Sequence, residues 1–101
     1  MVSHVDDLTI DYTEDDVLII KELDKEVLAS RGGWTTVIYK YQEWNRTKED
    51  YGPVKFTVRR YRKRDDEYRQ QSKFNISNAD QARKLVGILE KWTASPEDGG
   101  E

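Results

Sequence analysis

The sequence contains no cysteine and a single histidine, His4. The absence of cysteine excludes disulfides and thiolate metal sites, and it fits a reducing cytoplasm. There is no glycine-rich phosphate loop, nucleophile elbow or cluster of metal ligands, so we expect no catalysis, no metal, no cofactor and no small-molecule substrate. No run approaches the ~18 apolar residues of a membrane helix, and the first residues lack the pattern of a signal peptide. Binding and interaction proteins are the classes that remain.

The 101 residues predict one small domain, in which 36% of the residues are hydrophobic and 37% are charged. Such a composition gives a monomer only a thin core, and a partner subunit would enlarge it. We interpret residues 1–15 as a flexible acidic tail in which Ile10 and Tyr12 could dock locally, residues 16–93 as the domain, and residues 94–101 as a disordered tail.

The net charge of −3 conceals an uneven distribution. Residues 1–33 carry 3 basic and 9 acidic side chains, residues 34–73 carry 11 and 6, and residues 74–101 carry 3 and 5, which gives −6, +5 and −2. Phosphate binding depends on the field within a Debye length of about 8–10 Å rather than on the total charge. The basic middle of the chain is therefore compatible with an anionic partner.

Residues 54–64 alternate with the period of a strand. We expect a buried face and a wet, basic face; the first holds Val54, Phe56 and Val58, and the second holds Lys55, Thr57, Arg59 and Tyr61. A polar turn at 65–67 and a second strand at 73–76 follow. The next segment predicts a helix with Ser77 as N-cap and Asp80 as its capping partner. Its apolar stripe should lie on the sheet, and it consists of Ala82, Leu85, Val86, Leu89 and Trp92.

Residues 34–44 predict another strand, with Tyr39 and Tyr41 on one face and Trp34 and Lys40 on the other. We expect Trp34 and one of the two tyrosines to face inward under the helix. The segment 17–30 is ambiguous, because its ends are β-branched while its charged middle suits a helix. Arg31, Gly32 and Gly33 form a turn.

Basic residues alternate with aromatic residues along the predicted strands, from Tyr39 to Trp44, from Lys55 to Arg64, and from Tyr68 to Lys73. This pairing is typical of proteins that bind single-stranded nucleic acid, in which cations hold phosphates and aromatic rings stack on bases. Exposed strands favour the same residue types for structural reasons. A protein-interaction module that binds an acidic partner therefore stays open as an alternative.

Several short motifs resemble the carboxy-terminal domain of the transcriptional coactivator positive cofactor four, and most closely its bacterial single-stranded-DNA-binding members. An arginine–aromatic strand, a charged turn, a short strand and a capped helix follow one another in that family, as they do at Val58–Tyr61 and Phe74–Ile76. The bacterial members add an Ile-Ile-x-Glu-Leu strand, a Gly-Trp start and a Trp-Asn end of the second strand. These match Ile19–Leu23, Gly33–Trp34 and Trp44–Asn45.

The resemblance covers roughly 17–92 and has departures. Lys73 replaces a family glycine, and Arg62 stands where some members have an aromatic residue. It implies an α+β fold, with a curved four-stranded antiparallel sheet and one C-terminal helix through which two copies dimerise. It also implies a strand at 17–29, and a homodimer that binds single-stranded DNA with little sequence preference.

The implied role is that of a cytoplasmic transcription coactivator or regulator, or of a DNA-maintenance accessory, associated with the nucleoid if the source is bacterial. RNA binding stays open as a further alternative. The candidate nucleic-acid-binding residues are Lys40, Tyr41, Trp44, Lys55, Arg59, Arg60, Tyr61, Arg62, Lys63, Arg64 and Lys73. Among them Tyr41, Trp44 and Tyr61 are the candidates for base stacking, and Arg59 and Tyr61 are the pair we favour. The expected dimer interface consists of Leu85, Ile88, Leu89 and Trp92.

Overall fold

Six antiparallel strands and one C-terminal helix make up the part of the chain that the computed structural model describes, residues 4–94. A short 3₁₀ turn at Val5–Asp7 precedes the sheet. The elements that follow are β1 (Tyr12–Glu14), β2 (Val17–Arg31), β3 (Trp34–Asn45), β4 (Asp50–Tyr51), β5 (Lys55–Arg64), β6 (Glu67–Ile76) and α1 (Ala79–Thr93). No helix within this range is long and apolar enough to cross a membrane.

The strand order in the curled sheet is β1-β2-β3-β5-β6, and β4 pairs with the end of β3. The α+β class is therefore confirmed, but the sheet has six strands rather than four, because β1 and β4 add three and two residues to the four long strands. The ambiguous segment is a strand throughout, from Val17 to Arg31. Val17 and Leu18 at its amino end pair with β1, and the rest of the strand, including its charged middle, pairs with β3. This pairing outweighs the helix propensity of the middle.

Three of the hairpins close through only two residues. The connections at Asp15–Asp16, Gly32–Gly33 and Asp65–Asp66 all have positive φ at both positions. This is the geometry of the type I′ turn, whose twist matches that of the flanking strands. Only one of the three uses glycine; the other two rely on the tolerance of aspartate for the left-handed region.

The sheet has two chemically distinct faces, which follow from the alternation along β3 and β5. The packed face holds Thr35, Val37, Tyr39, Tyr41, Thr57, Arg59 and Tyr61, and it contains all of the fully buried side chains. The open face holds Trp34, Ile38, Lys40, Phe56, Val58, Arg60 and Arg62, which are half-buried or exposed.

The amino-terminal segment covers the packed face. Leu8 and Ile10 are 5% and 6% exposed, and they join the core cluster with Val37, Tyr39, Tyr41 and Tyr61. Lys25 Nζ donates hydrogen bonds to the carbonyl oxygens of Val5 and Asp6 at 3.2 and 2.8 Å and also to that of Leu8. The expectation of a flexible tail at 1–15 is therefore corrected for residues 5–14, since two apolar side chains and a lysine anchor them. Ile10 docks as anticipated, whereas Tyr12 is half exposed.

A carboxylate on β2 secures the same segment. Glu22 Oε1 accepts hydrogen bonds from Thr9 Oγ1 at 2.7 Å and from the Ile10 amide at 3.3 Å. In return the Glu22 amide donates to Asp11 Oδ1 at 2.7 Å. The reciprocal bonds satisfy backbone groups of a segment that has few bonds of its own.

This cover reverses the expected burial on β5. Thr57 and Tyr61, assigned to the wet face, are 0% and 6% exposed, whereas Phe56 and Val58 are only half-buried. The alternation itself is confirmed, and the assignment of its two faces is wrong. The apolar cover comes from residues that lie far from β5 in sequence, which the pattern within the strand does not reveal.

The helix differs from expectation in its cap and in its packing. The N-cap is Asn78, whose Oδ1 accepts from the Gln81 amide at 2.8 Å, while Gln81 Oε1 accepts from the Ser77 amide at 2.7 Å. Neither Ser77 nor Asp80 plays the part predicted for it. No side chain of α1 is buried, and Trp34 does not lie beneath it. The predicted carboxy-terminal tail, apart from Ala94, lies outside the described residues.

Replacing Leu8 or Ile10 by alanine should lower the free energy of unfolding by about 2–4 kcal/mol, because each change leaves a cavity in the core. Urea denaturation measures the loss. Leu28, which is 69% exposed, provides the control; Leu28→Ala should cost well under 1 kcal/mol. An equal loss in Leu8→Ala and Leu28→Ala would contradict the docking of the segment.

Asn78→Ala should destabilise α1 by about 1 kcal/mol, because the amide of Gln81 loses its acceptor. Ser77→Ala should have a much smaller effect, since only the backbone of Ser77 takes part in the cap. Thermal unfolding followed by circular dichroism at the helical band compares the two. A larger loss in Ser77→Ala would place the cap at the residue that the sequence favoured.

Candidate nucleic-acid interface

Two arginines of β5 lie over the indole ring of Trp34 at one end of the open face. The guanidinium carbons of Arg60 and Arg62 are 4.2 and 4.9 Å from the ring centroid. Trp34 begins β3 directly opposite Arg62 and diagonal to Arg60, so strand register produces the stack. Cation–π contacts of this kind contribute about 0.5–1 kcal/mol at exposed sites, and they hold the guanidinium groups in fixed positions.

Arg62 also faces a second arginine across the β5–β6 hairpin. Arg62 and Arg69 are direct cross-strand partners. Their pairing follows from a bulge, because Arg60 pairs with Ser72 and Tyr61 with Gln70, which leaves Gln71 as the extra residue. Like charges placed directly opposite each other destabilise a sheet. A bound anion would offset the repulsion between Arg62 and Arg69, so this pair is suited to an anionic ligand.

A polar cleft of about 360 Å³ opens at this end of the hairpin. It is lined by Trp34, Arg62, Arg64, Asp65, Arg69 and Gln71. We call these residues together with Arg60 the arginine cluster. Within residues 4–94, Arg60, Arg62 and Arg64 have no carboxylate within salt-bridge distance, whereas Arg69 contacts Glu67 at 3.3 Å. Three of its four guanidinium groups can therefore accept an anion without breaking an ion pair.

Other candidate cations are already engaged. Lys55 Nζ donates to Glu43 Oε1 at 2.6 Å, and this hydrogen bond raises the pKa of Lys55. Lys63 Nζ lies 3.4 Å from Asp66 Oδ1 and 5.4 Å from the ring centroid of Tyr68. These contacts are partly exposed and weak, but a ligand would have to compete with them.

Two of the three stacking candidates belong to the core. Tyr41 and Tyr61 are 7% and 6% exposed, and the hydroxyl of Tyr61 shares a 2.9 Å hydrogen bond with that of Tyr39. Burial, and then this hydrogen bond, raises the pKa of Tyr39 above its ordinary value. The assignment of Tyr41 and Tyr61 to base stacking is corrected here, because residues 5–10 and the sheet leave their rings no free face.

Arg59 lies on the packed face, opposite to Arg60. Its Nη1 donates to Gln70 Oε1 at 2.9 Å and its Nε to Thr57 Oγ1 at 3.4 Å. Lys73 is its cross-strand partner and is exposed. The favoured pair of Arg59 and Tyr61 does share a face, but that face is the covered one.

Trp44 and Lys40 complete the predicted set. Trp44 is half-buried, and its ring makes an edge contact with that of Tyr51 at 5.1 Å between centroids. Lys40 is exposed on the open face, opposite Asp24 and Phe56. Both remain accessible, but they lie away from the arginine cluster along β3.

The sequence-based selection missed Trp34 and Arg69. Trp34 is predicted to lie in the core, and Arg69 belongs to the basic stretch from Tyr68 to Lys73 but not to the candidate binding residues. The alternation of Arg60, Arg62 and Arg64 places three arginines on one face at the hairpin end, but it identifies neither Trp34 nor Arg69. Which aromatic residue lies beside them depends on the register between β3 and β5, and a single strand does not encode that register.

The residues predicted for a dimer interface divide into two groups. Leu85 and Ile88 are half-buried and line a groove with Phe74 and Ile76 of β6. Leu89 and Trp92 are 49% and 58% exposed. Among the described residues the helix contacts the sheet mainly at β6, so much of its apolar stripe is accessible to another surface.

In the described range, His, Asp and Glu side chains do not gather in groups of three or more that could hold a metal ion. No family model, no curated protein and no solved structure matches this chain. What the protein does must therefore be inferred from its own side chains.

Proposed function

We propose that this protein is a homodimer that binds single-stranded DNA without sequence specificity, through the arginine cluster on the open face of its sheet. The observation that carries the proposal is the stacking of Arg60 and Arg62 on Trp34, beside Arg64 and Arg69 in one cleft. The resemblance of the short motifs to positive cofactor four supports the same function.

The physical basis is preorganised phosphate binding. A guanidinium group held against an indole ring loses less conformational freedom when a phosphate arrives than a free side chain does. Within residues 4–94 three of the arginines form no ion pair, so the gain in charge-assisted hydrogen bonds is not offset by broken ion pairs. Arginine contacts with phosphate carry no sequence information, which agrees with non-specific binding.

Base stacking would fall to groups other than those predicted. A guanidinium plane can itself stack on an unpaired base, and Arg60, which is exposed above Trp34, offers one. Trp44 offers a second, partly accessible ring. A strand crossing the open face from the arginine cluster toward Trp44 would pass Lys40. Arg59, Lys63 and Lys73, on the opposite face, would contribute mainly to the surrounding positive field.

Dimerisation would proceed through the helix. Val86, Leu89 and Trp92 are 54%, 49% and 58% exposed on a helix without a buried residue. An apolar stripe of this kind is stabilised when a second copy covers it. A dimer would also place two arginine clusters in one particle, which raises the effective affinity for a longer strand.

An acidic protein partner is the second candidate, and one observation favours it. With Tyr41 and Tyr61 buried, the accessible surface is more ionic and less aromatic than the sequence suggests. RNA is a further candidate ligand, because the arginine contacts do not distinguish the 2′-hydroxyl. The cellular role we propose is that of a transcription regulator or DNA-maintenance accessory in the cytoplasm or nucleoid.

Fluorescence anisotropy with a labelled single strand of about 20 nucleotides tests the main proposal, with the matching duplex, an RNA strand and a polyglutamate competitor alongside. The double variant Arg60→Gln/Arg62→Gln should bind the single strand at least about tenfold more weakly. A plot of the logarithm of its binding constant against the logarithm of salt concentration should have a slope that is shallower by about 1.4. Each phosphate contact to a single strand contributes about 0.7 to this slope, and the variant loses two.

Arg83→Gln is the matched control, because Arg83 is an exposed helix residue whose side chain pairs, within the described part of the chain, with Asp80 alone. It should bind as the unchanged chain does. Absence of single-strand binding even at low salt would refute the proposal. Displacement by polyglutamate as readily as by unlabelled DNA would favour the acidic-partner alternative.

Light scattering coupled to size-exclusion chromatography tests the dimer. The unchanged chain should elute with twice the mass of 11.9 kDa, and Leu89→Asp should elute as a monomer, because a buried charge without a partner is costly. Lys91→Asp, at an exposed position about 160° around the helix from Leu89, should remain dimeric. A monomeric unchanged chain at tens of micromolar concentration would contradict dimerisation through α1.

A further inference from the structure

The arginine cluster concentrates charge in one cleft instead of spreading it along a groove. Arg62, Arg64 and Arg69 line the same cavity of about 360 Å³, with Arg60 adjacent on the Trp34 ring. Proteins that track a nucleic-acid backbone place single cations along a path. Several guanidinium groups around a single cavity are instead suited to one highly charged group.

Near the cleft, positively charged side chains outnumber negatively charged ones by two. Four arginines stand against the carboxylates of Asp65, which lines the cleft, and Glu67, which pairs with Arg69. An internal phosphodiester carries one negative charge and would balance half of the excess. A phosphate monoester carries about −1.5 to −2 at neutral pH and has three strong acceptor oxygens, so it balances most of the excess.

The surroundings of the cleft also match a group at the end of a chain. The cavity lies where β5 turns into β6 through Asp65 and Asp66, at the edge of the sheet. Gln71, set free by the bulge, adds an amide to the lining. Arg60 on the Trp34 ring lies next to the cleft, where it can stack on the base that adjoins a bound phosphate.

We propose that the cleft binds the terminal phosphate monoester of a nucleic-acid strand, so that the protein prefers phosphorylated strand ends to hydroxyl ends. The inference rests on the proposed single-strand binding and adds a preferred position on the strand. Arg62, Arg64 and Arg69 donate to the phosphate oxygens, and Trp34 holds Arg62 in position for this contact.

The experiment compares one labelled single-strand sequence in three forms: 5′-phosphate, 3′-phosphate and hydroxyl at both ends. At least one phosphorylated form should bind about tenfold more tightly than the hydroxyl form, as one added charge-assisted contact provides. Arg64→Gln should bring the ratio of the two affinities, that for the phosphorylated form over that for the hydroxyl form, close to one. The side chain of Arg64 is exposed and makes no hydrogen bond or ion pair within residues 4–94, so the change should leave the fold intact. Arg83→Gln should keep the ratio unchanged.

The possible outcomes separate the two proposals. If all three forms bind equally, the end preference is refuted and single-strand binding stands. If none of them binds, both proposals fail. Competition by thymidine 5′-monophosphate or by a phosphoserine peptide at the concentration of the phosphorylated strand would also refute the inference, because the cleft would then recognise a phosphate without a strand. A ratio that survives Arg64→Gln would show that the preference arises elsewhere.

Discussion

The fold depends on the contact between the amino-terminal segment and the packed face of the sheet. A curled sheet of this size has too few apolar residues to form two buried faces, and its largest buried side chains are tyrosine, valine and threonine. Leu8 and Ile10 supply the apolar cover, while Lys25 and Glu22 satisfy the backbone of the segment that brings them. Once this face is sealed, every accessible binding group of the sheet must lie on its other face or on its rim.

That constraint determines on which face of the sheet each cation lies. The arginines on the even positions of β5 project away from the cover, and the lysines and arginines on the odd positions share a face with the core. Trp34 begins its strand opposite those arginines and so becomes their support rather than part of the core. The basic and apolar ends of the open face are thereby separated, with the helix near the apolar end at Phe74 and Ile76.

Local sequence patterns predicted β3, β5 and α1 and their order. They left the segment of β2 ambiguous, placed the start of β6 at residue 73 instead of Glu67, and did not predict β1 or β4. Alternation located β3 and β5, and the charged turn located the β5–β6 hairpin. The cover by residues 5–14 escaped prediction because six carboxylates at 1–16 obscure two apolar anchors. The cap moved by one residue because Ser77 and Asn78 are both good caps and only the path of the chain selects between them. Arg60, Arg62 and Arg64 were identified, but their partner Trp34 depends on the register between strands, which no single segment encodes.

Because β6 lies at the edge of the sheet, its polar and basic residues also affect whether other molecules can pair with it. From Arg69 to Asn75 the strand is exposed, and its outer backbone groups have no neighbouring strand among residues 4–94. Charged side chains on such an edge discourage other molecules from adding a strand to it. Wholesale neutralisation of Arg69 and Lys73 would therefore be expected to expose a ten-residue template for intermolecular sheet growth. Under the proposed function, Arg69 would serve both ligand binding and the protection of this edge, so a change there would alter both properties.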